Sequence, residues 1–153
     1  MILQKERYLF MKKKELFCED NIILNASFDT KENAIKAAGE ILYNGGYVEK
    51  AYIQDMLNRE KIVTTYVGNG LAIPHGIANS EKNILCSGLS FIQIPNGVSF
   101  GDETAYIMIG IAGKNGEHLD LLGKIAMIFF DVQKAAKFKK AATKKEVLEL
   151  LTL

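Results

Sequence analysis

The stretch Thr104-Ala105-Tyr106-Ile107-Met108-Ile109-Gly110-Ile111-Ala112 is an uninterrupted apolar run. It is rich in β-branched residues, and the glycine pair of the following Gly113-Lys114-Asn115-Gly116 segment closes it. A strand with one face in water alternates polar and apolar residues, whereas a strand covered on both faces has no reason to alternate. This segment therefore reads as a central strand of a sheet with helices above and below.

The patterns on either side agree with that reading. Upstream, Ile84 to Ile94 alternates loosely and meets Pro95-Asn96-Gly97, a turn signal that should send the chain back as a short strand, Val98 to Phe100. Downstream, Leu119, Leu122, Ile125, Ala126 and Phe129 recur at helical spacing from a start near Glu117-His118. A further helix is expected from Asp131 to Lys140, and Thr143-Lys144-Lys145-Glu146 has the form of a capping box opening a C-terminal one.

In the first half, Asp29 with Glu32 signals a helix start, Ala34, Ile35, Ala38, Ile41 and Leu42 form its apolar face, and Gly45-Gly46 ends it, so a helix is placed at about 30–44. A second runs from Glu49 to the neighbourhood of Arg59-Glu60. Gly68-Asn69-Gly70 is a turn, and Leu71-Ala72-Ile73 is a short strand that stops at Pro74, which lacks the N–H of a sheet ladder. Helices interleaved with these strands indicate an α/β layered fold, a single domain with one mixed sheet and helices on both faces.

Composition narrows the function. The 153 residues carry 19 Lys+Arg against 18 Asp+Glu, a formal charge of +1, so no summed field draws nucleic acid unless a local patch exists. No apolar stretch approaches the length of a bilayer span, and Lys5, Glu6 and Arg7 interrupt the N-terminus before a signal peptide could form. A cytoplasmic protein is expected, not inserted in the membrane. Met1 to Phe10 reads as an extension ahead of a domain spanning 11–153, because Met11 would make a natural second start. The two cysteines, Cys18 and Cys86, lack a ligand or redox spacing and read as ordinary thiols, Cys86 within a strand.

The 2 histidines are the side chains able to change protonation state near neutral pH. His75 follows a strand end and precedes Gly76, whose missing side chain would let a phosphate or a partner come close to the ring. His118 opens a helix, where free N–H groups and the helix dipole favour an anion. Each has a bland alternative: a surface-loop histidine is more often solvated than nucleophilic, a histidine at a helix start can simply cap it, and Arg59 at a helix end can bond the terminal carbonyls. No metal is expected, since a zinc centre needs three ligands and an open position. Nor is nucleotide binding indicated, because Met108 and Asn115 stand where a phosphate loop requires glycine and a hydroxyl.

The local sequences Leu57-Asn58-Arg59-Glu60-Lys61, Thr65-Tyr66-Val67-Gly68-Asn69-Gly70-Leu71-Ala72-Ile73-Pro74-His75-Gly76, Ile94-Pro95-Asn96-Gly97-Val98 and Gly110 to Leu119 resemble the mannitol/fructose class of enzyme IIA of the bacterial sugar phosphotransferase system. Gly-Lys-Asn-Gly-Glu-His and Tyr66 are similar to the mannitol branch. The resemblance implies a phosphocarrier. His75 would take a phosphoryl group from phospho-HPr and pass it to a cysteine of enzyme IIB of a mannitol-type permease. His118 would stabilise the phosphoryl group, Arg59 would serve as an electrostatic clamp, and no cofactor would be needed. Ile77 departs from relatives that often carry threonine there, which leaves backbone donors to do that work. A free-standing IIA is expected, since no linker or IIB segment is present. The alternatives are a fructose-specific or nitrogen-regulatory phosphocarrier, and a sensing module of the same fold in which His75 is never phosphorylated. Partner contacts are expected on Ile73, Ile77 and their neighbours.

Overall fold

The computed structural model describes residues 14–153; the expected extension 1–10 lies outside them. The elements are β1 (Ile22–Ile23), α1 (Lys31–Asn44), α2 (Tyr52–Ile62), β2 (Tyr66–Gly68), β3 (Leu71–Ala72), β4 (Gly88–Phe100), β5 (Glu103–Ala112), α3 (Glu117–Phe130), α4 (Val132–Lys140) and α5 (Lys144–Leu150), with short 3-10 turns at Glu19–Asn21 and Glu81–Asn83. One mixed five-stranded sheet has the order β1-β4-β5-β3-β2, so the apolar run occupies the centre. β5 is antiparallel to β4 and parallel to β3.

Two cores account for the missing alternation. Met108 and Ala112 of β5 pack with Ala34, Ala38, Leu42 and Met56 of α1 and α2. Ile107, Ile109 and Ile111 pack on the opposite face with Leu121, Ile125 and Phe129 of α3, Phe138 of α4 and Val147 of α5. Successive residues of one strand thus serve opposite layers. Phe129 and Phe138 stack at 4.5 Å between ring centroids.

Several expectations change in detail. Thr30, rather than Asp29, caps α1, its hydroxyl accepting from Asn33 N at 3.1 Å. Pro95-Asn96-Gly97 does not reverse the chain: the ladder passes from Gln93↔Ile107 to Val98↔Ala105, so residues 94–97 bulge out opposite Tyr106 and β4 continues to Phe100. The missing N–H of Pro95 is harmless where the ladder is interrupted. The reversal comes at Gly101-Asp102, with Gly101 at φ +69, as a two-residue hairpin turn requires of its first central position. Cys86 lies ahead of β4, partly buried against the α1-side core, and burial raises its thiol pKa. On α3 the buried face is Leu121, Ile125 and Phe129, while Leu119 and Ala126 are exposed.

Gln93 locks α4 onto the sheet. Its buried amide donates to the carbonyls of Phe138, Lys139 and Ala141 at 3.1, 3.3 and 2.8 Å, satisfying the C-terminal acceptors of that helix. Gln93→Ala removes this donor, leaving Phe138 O with only the Ala141 N–H at 3.4 Å, and is expected to destabilise the protein by about 1–3 kcal/mol. The measurement is the urea midpoint at unchanged slope.

Candidate functional site

The ends of β3 and β5 deliver His75. After Ala72 the chain leaves the ladder at Pro74, yet Ile111 N donates to Pro74 O at 2.9 Å and His75 makes an isolated bridge to Ile111. The ring is half-buried, and His75 Nδ1 lies 2.8 Å from the carbonyl oxygen of Ile73. A carbonyl only accepts, so Nδ1 carries the proton and Nε2 of the neutral ring keeps its lone pair. Tautomer and ring orientation thus follow from the backbone of the residue two positions before.

Tyr52 of α2 holds this segment from behind, a role that the sequence reading did not assign. Its hydroxyl donates to Ile111 O at 2.7 Å and accepts from Gly76 N at 2.8 Å. Burial pushes its pKa up to about 12, against the lowering effect of the Gly76 N–H, so it stays a neutral phenol. The available signal was physical: a tyrosine on a buried helix face must find partners for its hydroxyl. Gly76 is required for a reason beyond the one expected. A Cβ there would run into Ser80 Oγ and the Tyr52 ring at 2.5 Å, so internal packing demands the glycine, which also lines the cavity.

The loop beyond is tied down at each step. Ile77 N donates to Asp55 O at 3.1 Å, Ser80 Oγ donates to Ile77 O at 2.5 Å, and Asn83 Nδ2 donates to Asp55 Oδ2 at 2.6 Å. Ile73 is buried in the core and cannot meet a partner, contrary to expectation, whereas Ile77 lies at the cavity. Asn115 N donates to Glu81 Oε1 at 2.6 Å and Lys114 Nζ donates to Ile84 O at 2.8 Å, which brings the start of α3 alongside. Gly113 permits the approach: a Cβ there would collide with the backbone N of His118. Gly116, at φ +80, precedes α3 with no side-chain cap on the helix, leaving N–H groups of the first turn for an anion.

His75, His118 and Arg59 consequently line one cavity of about 500 Å³, together with Tyr52, Gly76, Ile77 and Gly113. Arg59, in the last turn of α2, also donates from Nη1 to Val63 O at 2.7 Å. Its helix-end role and its place at the cavity are both realised. Neighbouring Glu60 anchors this end: Oε1 accepts from Thr65 N at 2.9 Å and Thr65 Oγ1 at 2.6 Å, and Oε2 pairs with Lys31 at 3.3 Å. Burial alone would raise the Glu60 pKa, but the Thr65, Thr64 and Lys31 bonds outweigh it and lower it. Glu117 and Asp120 are exposed, Asp120 pairing with Lys124 at 3.1 Å.

The His75 pKa lies below 6.5, first through burial and then through Arg59 and His118, with the Ile73 bond and Glu60 pulling the other way. Since the folded value is below the unfolded one, this ring contributes stability that is full above pH 6.5 and is lost as pH falls from there towards the folded pKa. In an NMR titration the His75 ring is expected to protonate with a midpoint below that of an ordinary imidazole, so that the neutral form is the majority at pH 6.5.

Residues 15–153 match the family described as "Phosphoenolpyruvate-dependent sugar phosphotransferase system, EIIA 2". A mannitol-specific phosphotransferase enzyme IIA component of Geobacillus stearothermophilus is 48% identical over 134 residues, covering 87% of this chain and 92% of that protein. The crystal structure of IIA mannitol from Escherichia coli superposes with a TM-score of 0.83 at 40% identity, covering 89% of this chain and 99% of that one. Enzyme IIA in the complex of enzyme IIAMTL and phosphorylated enzyme IIBMTL from Escherichia coli gives a TM-score of 0.84 at 40% identity, with 88% and 96% covered.

Proposed function

Given that the chain belongs to the EIIA 2 family of the phosphoenolpyruvate-dependent sugar phosphotransferase system, we propose that His75 Nε2 is the atom that carries the phosphoryl group in a mannitol-type relay. The observation behind this is the Nδ1–H bond to the Ile73 carbonyl, which leaves Nε2 as the ring nitrogen with a free lone pair at a cavity shared with His118 and Arg59.

The protein is a phosphotransferase component of that system. In the first half-reaction the Nε2 lone pair attacks the phosphorus of phospho-HPr; the bond to HPr breaks and its electron pair stays with HPr. In the second, a cysteine thiolate of enzyme IIB attacks the same phosphorus, and the Nε2–P bond breaks with its pair returning to the ring. The Nδ1 proton stays in place throughout. Such transfers ask the protein mainly for in-line positioning and for charge around the three equatorial oxygens. Arg59 supplies a fixed positive charge, His118 a ring donor, and the uncapped first turn of α3 backbone N–H groups. The lowered pKa of His75 keeps the nucleophile unprotonated at neutral pH.

Mannitol is the sugar favoured by the relatives named for it. Among the described residues no helix is long and apolar enough to cross a membrane, which accords with a carrier working in the cytoplasm between HPr and the permease. The test is intact-mass spectrometry at neutral pH after incubation with enzyme I, HPr and phosphoenolpyruvate. One acid-labile phosphoryl adduct is the expected result; a folded protein that gains no mass would sink the proposal. His118→Ala is expected to accept the group but to pass it to enzyme IIB on the order of 10²-fold more slowly, as when one preorganised donor is removed.

A further inference from the structure

Helix α3 is apolar on two opposite sides. One side, Leu121, Ile125 and Phe129, is buried on the sheet; on the other, Leu119, Met127 and Phe130 are 69%, 74% and 82% exposed, with Gly123 and Ala126 between them. A helix that only covers a sheet needs one apolar stripe. Among the described residues nothing demands glycine at 123 either, since a Cβ there would meet no atom within 4 Å. Val132 carries the patch around the corner into α4 at 68% exposure. Asp131, between Phe130 and Val132, accepts with Oδ1 from Gln133 N and Lys134 N, so its charge is engaged in capping α4.

Beside this stripe, in the same layer, lies a basic row. Helix α4 contains no acidic residue and exposes Lys134, Lys137 and Lys140, while Lys144 and Lys145 open α5. Glu146 and Glu149 share a groove with Lys137 and Lys140 and offset part of that charge. Lys139 is set apart, over the Tyr106 ring at 4.8 Å. On the other helical layer the exposed Glu32, Lys36 and Glu40 of α1 alternate in sign, and the exposed large apolar residues are confined to Tyr43 and to Ile62 and Val63 at the end of α2.

We propose that the outer face of α3 and α4 is a peripheral docking surface for an anionic lipid bilayer. Met127, Phe130 and Val132 enter the boundary between headgroups and acyl chains, and the lysine row meets lipid phosphates. Apolar anchors flanked by lysines are the arrangement such surfaces require. Charge decides against a second copy of the chain, because a two-fold contact through this face would bring one lysine row towards the other. Distance separates most of the face from the phosphoryl site. At about 1.5 Å per residue along α3, Phe130 stands roughly 18 Å from His118, so a chain resting on this surface leaves the His75 cavity open.

The test is flotation of the full chain with vesicles of phosphatidylcholine, with and without phosphatidylglycerol. The protein is expected to float with the anionic vesicles only, and added salt to release it. Both Met127→Ser/Phe130→Ser and Lys137→Glu/Lys140→Glu are expected to lower the bound fraction roughly tenfold, while Lys36→Glu on the other layer leaves it unchanged. In solution, phosphoryl acceptance from HPr by Met127→Ser/Phe130→Ser is expected to equal that of the parent. Failure to float with anionic vesicles, or undiminished binding by the lysine variant, overturns the proposal. So does loss of phosphoryl acceptance in the serine variant, which would assign the face to a phosphoryl partner. A concentration-dependent dimer in sedimentation velocity that Phe130→Ser abolishes would assign it to a second copy.

Discussion

His75→Ala, folded and incubated with enzyme I, HPr and phosphoenolpyruvate, is expected to show no phosphoryl adduct at all. The effect is total because the substitution removes the attacking atom itself, and the surrounding donors can stabilise a transferring group but cannot hold one. Structurally the change should be mild. The ring is half-buried and bonds to the carbonyl of Ile73, so its loss leaves that acceptor unpaired beside a cavity that can admit water. Thermal melting is therefore expected to stay close to that of the parent. A variant that melts normally and still acquires an acid-labile adduct would transfer the role to His118, the other imidazole at the cavity.

Gly113→Ala is expected to have the second largest effect, although residue 113 is not proposed to touch the phosphoryl group. The added methyl would be driven into the backbone N, Cα and Cβ of His118, and helix backbone cannot move aside as a flexible side chain does. Overpacking of this kind costs about 1–3 kcal/mol. The relief available is displacement of the first turn of α3, which carries His118 away from His75. A displacement near 1 Å in a positioning group can cost on the order of 10² in rate. Transfer from the phosphorylated protein to enzyme IIB is accordingly expected to fall about as far as in His118→Ala, with an added loss of stability that His118→Ala does not show. Stopped-flow transfer together with a urea melt checks both; unchanged transfer would mean that the position of His118 is irrelevant to the chemistry.

Much of the fold was legible because its signals are local or periodic. The central strand announced itself by the absence of alternation from Tyr106 to Ile111, and Thr143 with Glu146 marked the last helix start, where Glu146 N donates to Thr143 Oγ1 at 3.2 Å. The Pro95-Asn96-Gly97 signal misled for a definite reason. Locally it is a strong turn, but the long β4–β5 ladder resumes beyond it at Val98↔Ala105, and nine paired positions outweigh one local preference. The face of α3 was misjudged because apolar residues occupy both sides of that helix, and periodicity cannot say which side meets the sheet.

The site divides in the same way. That His75 and His118 fall at element ends, and that Arg59 closes a helix, can be read from turn and capping residues, since these act within a few positions along the chain. Their convergence on one cavity depends on β3 lying beside β5 and on α3 starting where β5 stops, contacts between residues far apart in sequence. The clamp by Tyr52 across to Gly76 and Ile111, the collision that requires glycine at 113, and the protonation state imposed on His75 belong to that second category. The chain order specifies which chemical groups are present and which local turns carry them. Packing alone buries the His75 ring and gathers His118 and Arg59 at the same cavity, and that leaves this imidazole neutral and oriented for the role proposed for it.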